Sequence, residues 1–187
     1  MRIKYNAPTT LTFTFLSATV LLLSSTFTPG LTQSWFSTPA PFRANAAQDY
    51  VKLFTHVLGH ANLDHFISNF SFILLLGPIL EANYGSLSLM IMMLVTALVT
   101  GLLNVLIFPS TILLGASGIV FMMILLASFT NFNKGEIPLT FILVMLLYLG
   151  REVWNSVASK DNISQFAHVL GGLVGSFFGF LRPRKQS

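Results

Sequence analysis

The sequence predicts an all-α membrane protein, a single bundle of six transmembrane helices. Three observations predict it. First, 53% of the residues are hydrophobic and 9% are charged, where a soluble domain carries about 25% charged. So few charges cannot clothe a water-facing surface. Second, the apolar residues fall into six runs, each near the length a helix needs to cross about 30 Å of hydrocarbon. Third, the runs are continuously apolar rather than alternating, which argues against barrel strands. In lipid every backbone polar group must find a partner, and a helix supplies one within its own segment.

The first run is Thr10–Thr28, behind Arg2 and Lys4. A basic start before an apolar run is also the plan of a signal peptide, and Ala44-Asn45-Ala46 resembles a cleavage site. That tripeptide lies far beyond a run that is itself long, so the run reads as a retained helix. Residues 29–62 read as a long loop. Pro29, Pro39 and Pro41, with Trp35, Phe36, Phe42 and Tyr50, suit a loop at the membrane interface. The second run, Leu63–Tyr84, ends in the tight turn Tyr84-Gly85-Ser86. The third, Leu87–Phe108, is closed by Pro109-Ser110-Thr111. The fourth, Ile112–Asn131, ends in a polar stretch reaching Glu136. The fifth, Ile137–Trp154, is followed by Ser156 to Asn162, and the sixth, Ser164–Leu181, by a basic tail over 182–187. Residues 1–187 thus read as one membrane domain, with short tails at 1–9 and 182–187.

Six spans put both termini on one side. That side collects Arg2, Lys4, Lys134, Arg182, Arg184 and Lys185, against Arg43, Lys52, Lys160 and Arg151 opposite. The bias places the termini in the cytoplasm. The net charge of +4 fits membrane orientation better than nucleic-acid binding. With no cysteine, disulfides, thiolate metal sites and a cysteine nucleophile are excluded.

Within this topology the second, fourth and sixth helices all enter from the non-cytoplasmic side. Near their starts lie His65 and Asn69, Ser117, and His168. Three separate segments thus place reactive groups about one or two turns deep on the same face. Serine with histidine is the minimal kit for nucleophilic acyl transfer. In Gly115-Ala116-Ser117-Gly118, the glycines give close access to the hydroxyl; such small residues also serve plain helix packing. His168 heads a strip with Gly171, Gly175 and Gly179. Packing explains the glycines but not an ionisable group within a span. His168 reads as general base toward Ser117 and then general acid toward the leaving amine. His65 and Asn69 share a helix face and can donate to a developing oxyanion, as can the Ser117 backbone N–H. A satisfied polar pair near the interface is the plainer reading of those two side chains. His56 and His60 have the spacing of zinc ligands, but no HExxH run exists and Glu81 is a poor third ligand, so no metal is expected. Glu81 itself reads as a structural acid beside Gly77 and Gly85. The methionines read as packing and lipid contact.

Taken together, these residues resemble the rhomboid intramembrane serine proteases. The matching pieces are His60-Ala61-Asn62-Leu63-Asp64-His65-Phe66-Ile67-Ser68-Asn69, then Gly115-Ala116-Ser117-Gly118, then Ala167-His168-Val169-Leu170-Gly171 with Gly175, in that order. Gly77, Glu81 and Gly85 also look like family positions. The match runs from about Tyr50 to Phe180. The resemblance implies a rhomboid-like six-helix core with a Ser117–His168 dyad. It implies an oxyanion site of His65, Asn69 and the Ser117 amide, with Gly115, Gly118, His60, Phe121 and Gly171 in support. It also implies single-pass transmembrane substrates cut near the outer face of the plasma membrane, with no cofactor. Two positions depart from the family pattern: Val51-Lys52 stands where many rhomboids carry Trp-Arg, and Phe121 where many carry a tyrosine against the histidine. A non-catalytic, rhomboid-like binder of membrane clients is the alternative. A small transporter is a further one, but the polar cluster is confined to one side and no inverted repeat is visible.

Overall fold

Proline occupies the first position of α1 (Pro8–Thr26), where its missing N–H costs nothing. The computed structural model describes residues 2–128, positions 139, 142, 143, 146 and 147, and residues 163–181, the side chains of 163–167 and 180 excepted. Outside the described residues lie the end of the fourth apolar run, most of the fifth, the polar stretches on either side of it, and the basic tail. Lys134, Arg151, Glu152 and Lys160 lie there too. Among the described residues all regular structure is helical.

The region read as a long loop is more structured than expected. It holds α2 (Leu31–Trp35), α3 (Ala47–Thr55) and a 3-10 turn at His56–Leu58. An ion pair organises it. Arg43 Nε and Nη2 donate to the two oxygens of Asp49 at 3.0 Å each, and the Arg43 N–H donates to the same carboxylate at 2.9 Å. Asp49 is fully buried, and Arg43 holds its carboxyl below the usual carboxylate range. α3 lies against α5 (Ser86–Ile107) at Gly101, where a Cβ would come within 2.6 Å of the Leu53 carbonyl oxygen. At nine residues, α3 is shorter than the stretch over which helical apolar periodicity is read.

α4 (Leu63–Tyr84) coincides with the second apolar run. Asn62 caps it, its Oδ1 accepting the His65 N–H at 2.8 Å. Gly85 joins α4 to α5 in one residue at φ +85°, a conformation that favours glycine. α1, α4 and α5 are long and apolar enough to cross a membrane. Their exposed faces carry Leu22, Leu75, Leu94 and Leu106 outward. Within the helices, the hydroxyls of Ser71, Thr96 and Thr100 donate to carbonyls one turn back.

The fourth run corrects the sequence reading in a second place. Its helix, α6 (Ser117–Ser128), begins at Ser117 and not near Ile112. Backbone groups that a longer helix would use are bonded elsewhere. The Leu113 carbonyl accepts from the Thr38 N–H at 2.8 Å, the Leu113 N–H donates to Thr38 Oγ1 at 2.7 Å, and the Gly115 N–H donates to the His56 carbonyl at 3.0 Å. From Gly118 to Leu126 every residue of α6 is buried, and α4, α5 and the last described helix pack against it. α7 (Ile163–Leu181) lies closest to it.

Candidate active site

Small residues bring α6 and α7 into backbone contact. A Cβ on Gly171 would lie 2.0 Å from the Gly118 carbonyl oxygen, and one on Gly175 would lie 2.4 Å from that of Met122. The two contacts are one turn apart on both helices, so the helices run in register along this face. Only glycine permits it. His168, three residues before Gly171, shares that face. Its ring stacks on Phe121, with centroids 4.4 Å apart and planes 7° from parallel. Phe121 is one turn after Ser117 on α6. The imidazole is therefore held against the helix face that carries the serine.

The glycines around Ser117 divide the work. Gly118 admits α7, as the packing reading expects. Gly115 admits a side chain instead. Its φ is +114°, and a Cβ there would lie 2.7 Å from both Cε1 and Nε2 of the His65 ring and 3.7 Å from Asn69 Nδ2. His65 and Asn69, from α4, thus converge on the residue two before Ser117. Ser117, His65 and His168 are each half-buried, while Asn69 is buried. Ser117 is the first residue of α6. The N–H groups of a first helical turn have no acceptor within their helix and lie at the positive end of its dipole.

His60 lies against Asn69. Its Nε2 lies 3.1 Å from Asn69 Nδ2, and its Nδ1 lies 3.3 Å from the Leu58 carbonyl oxygen. The amide can only donate and the carbonyl only accept, so the neutral ring carries its proton on Nδ1. One Asn69 N–H is thereby committed to His60, and the second is left to point elsewhere. Burial lowers the His60 pKa to about 4, with a further push from His65.

The supposed His56–His60 pair is not formed as a pair. The 3-10 turn separates them, and each meets a different helix. The His56 ring sits on α5, with Nε2 3.4 Å from Thr100 Oγ1. Burial lowers its pKa to about 4.

Sequence reasoning missed the residues that hold the Ser117 loop. The Thr38 hydroxyl accepts from Leu113 N–H and from Asn104 Nδ2 at 3.1 Å, and the same Asn104 amide donates to the Thr111 carbonyl at 3.0 Å. Asn104 could have been singled out as a polar residue inside an apolar run. Thr38, an ordinary threonine in a loop, carries no such signal.

An all-helical, membrane-spanning chain with this juxtaposition of serine, histidines and glycines defines a class, and sequence comparison agrees with it. Residues 47–185 match the Rhomboid domain, so the chain belongs to the rhomboid family of membrane proteins. It is similar to Rhomboid-related protein 1 of Caenorhabditis elegans, with 30% identity over 132 residues, 65% of this chain and 37% of that protein. The chain thus matches well under half the length of this relative.

Proposed function

We propose that this protein is an intramembrane serine endopeptidase that cuts single-pass transmembrane proteins near the outer face of the plasma membrane. In this reading six spans form the core and both termini are cytoplasmic. Ser117 Oγ attacks the scissile carbonyl carbon while His168 takes its proton. His168 then returns a proton to the leaving amine, and water hydrolyses the resulting ester by the same route in reverse. The negative oxygen of each tetrahedral intermediate is met by the Ser117 N–H, His65 and Asn69. Removal of one such donor typically slows catalysis about 10²–10³-fold.

The stack of His168 on Phe121 carries this reading. It holds an imidazole against the face of α6 that bears Ser117. A dyad has no carboxylate to orient its histidine, and a parallel aromatic ring supplies that restraint. Phe121 does so without the hydroxyl that many rhomboids place there. A cleavage assay in proteoliposomes with single-span reporters tests the proposal. Wild-type protein should release product, and Ser117→Ala and His168→Ala should each release none while remaining folded. Cleavage by Ser117→Ala at the wild-type rate would eliminate the nucleophile.

A further inference from the structure

Beside α6 at Ile119, a groove of about 410 Å³ opens between α1 and α5 beneath the 3-10 turn. Its long walls run from Pro8 to Leu16 and from Met90 to Ala97, roughly 10–12 Å of helix at 1.5 Å per residue. Val57 and Leu58 form its roof and Ile119 of α6 its back. Leu16 is 51% exposed and Leu94 47%, so its mouth is open. Both flanking helices are membrane spans, so that mouth faces hydrocarbon.

The lining offers nothing polar to a ligand. Three threonines border the groove, and each hydroxyl has a partner outside it. Thr9 Oγ1 donates to the Ser86 carbonyl at 3.0 Å, Thr55 Oγ1 to the Trp35 carbonyl at 2.6 Å, and Thr12 Oγ1 lies 2.9 Å from the Tyr5 hydroxyl. Water needs polar partners and is poorly held in such a space. A transmembrane helix is too large: two turns, about 11 Å across, displace roughly 1,000 Å³. A methylene has about the bulk of a water, whose share of liquid volume is about 30 Å³, so the groove takes on the order of a dozen methylenes.

We infer that this groove is a binding site for one lipid acyl chain, threaded between α1 and α5 under the turn that carries His56. The chain covers the apolar lining that is left open between Leu16 and Leu94. Selectivity is for hydrocarbon and not for a headgroup, because no charged side chain lines the space and its three threonine hydroxyls are each already hydrogen-bonded. The inference stands apart from the proteolytic reading, since it concerns a different face of the bundle.

Photocrosslinking in phosphatidylcholine vesicles doped with a phosphatidylcholine bearing a diazirine in its acyl chain tests it. Adducts should concentrate on Met93, Leu94 and Ala97, several-fold above those on Leu74 and Leu75 of the lipid-exposed face of α4. Ala97→Phe, which fills the groove, should cut labelling at Met93 and Leu94 several-fold and leave α4 labelling unchanged. Leu16→Trp, at the mouth, gives the same test without altering a buried position. Equal labelling of the two faces, or groove labelling that neither substitution reduces, would overturn the site.

Discussion

Gly115 shows how much one residue can carry. Its φ of +114° suits glycine, and the space a Cβ would take is filled by the His65 ring. Gly115→Ala should therefore fail twice. The backbone conformation alone costs about 1–3 kcal/mol for a residue with a side chain, and the ring must also move. The expected result is a lower thermal midpoint together with a loss of reporter cleavage larger than that midpoint explains. The sequence marked Gly115 as a place of close approach, but it could not say whose. The visitor is a histidine from α4, and that depends on where a distant helix lies. His60 is a similar case. The resemblance implies a supporting role for His60 but names no contact for it; the bond to Asn69, and the tautomer it requires, depend on where the Leu58 carbonyl lies.

At the scale of elements, the seam between α6 and α7 positions the imidazole. Gly118 and Gly171 meet backbone to backbone, and the Phe121–His168 stack lies beside them. Gly171→Ala should push the helices apart and draw His168 away from Phe121. Cleavage of the single-span reporter should fall strongly. The seam was legible because glycines at intervals of three and four share a helix face whatever the tertiary structure. The start of α6 was not. Ile112 to Ala116 are as apolar as a helix interior, and hydropathy ran them into the span. Bonds to Thr38 and His56 decide otherwise, and those partners lie far away in the chain. α3 escaped notice because it is short; its buried Asp49 is bonded by Arg43, only six residues earlier in the chain.

For the whole molecule, two tethers hold the layers together. The first is Glu81, which ties α4 to the N-terminus of α1. Its carboxylate accepts from two N–H groups and one hydroxyl. Glu81→Gln replaces an acceptor by a donor facing donors. It should lower stability by about 1–3 kcal/mol, read as an earlier midpoint in thermal unfolding in detergent. The structural role of Glu81 was legible from its place at the end of a span, though its partner was not. The second tether is the α3 segment with its turn and the residues just after it, where His56 and His60 are buried and neutral. Their pKa values fall from 6.5 to about 4 on folding, so between those values the unfolded chain binds protons that the folded chain does not. Stability should be full above about pH 6.5 and decline as the pH falls toward 4. A midpoint that held constant across this window would contradict that burial, and His56→Gln should flatten part of the slope. The central claim is that His168 activates Ser117. Labelling by a fluorophosphonate probe in native membranes tests it most directly: wild-type protein should be modified at Ser117, and Ser117→Ala and His168→Ala should not. Equal modification of Ser117 in wild type and His168→Ala would contradict the account.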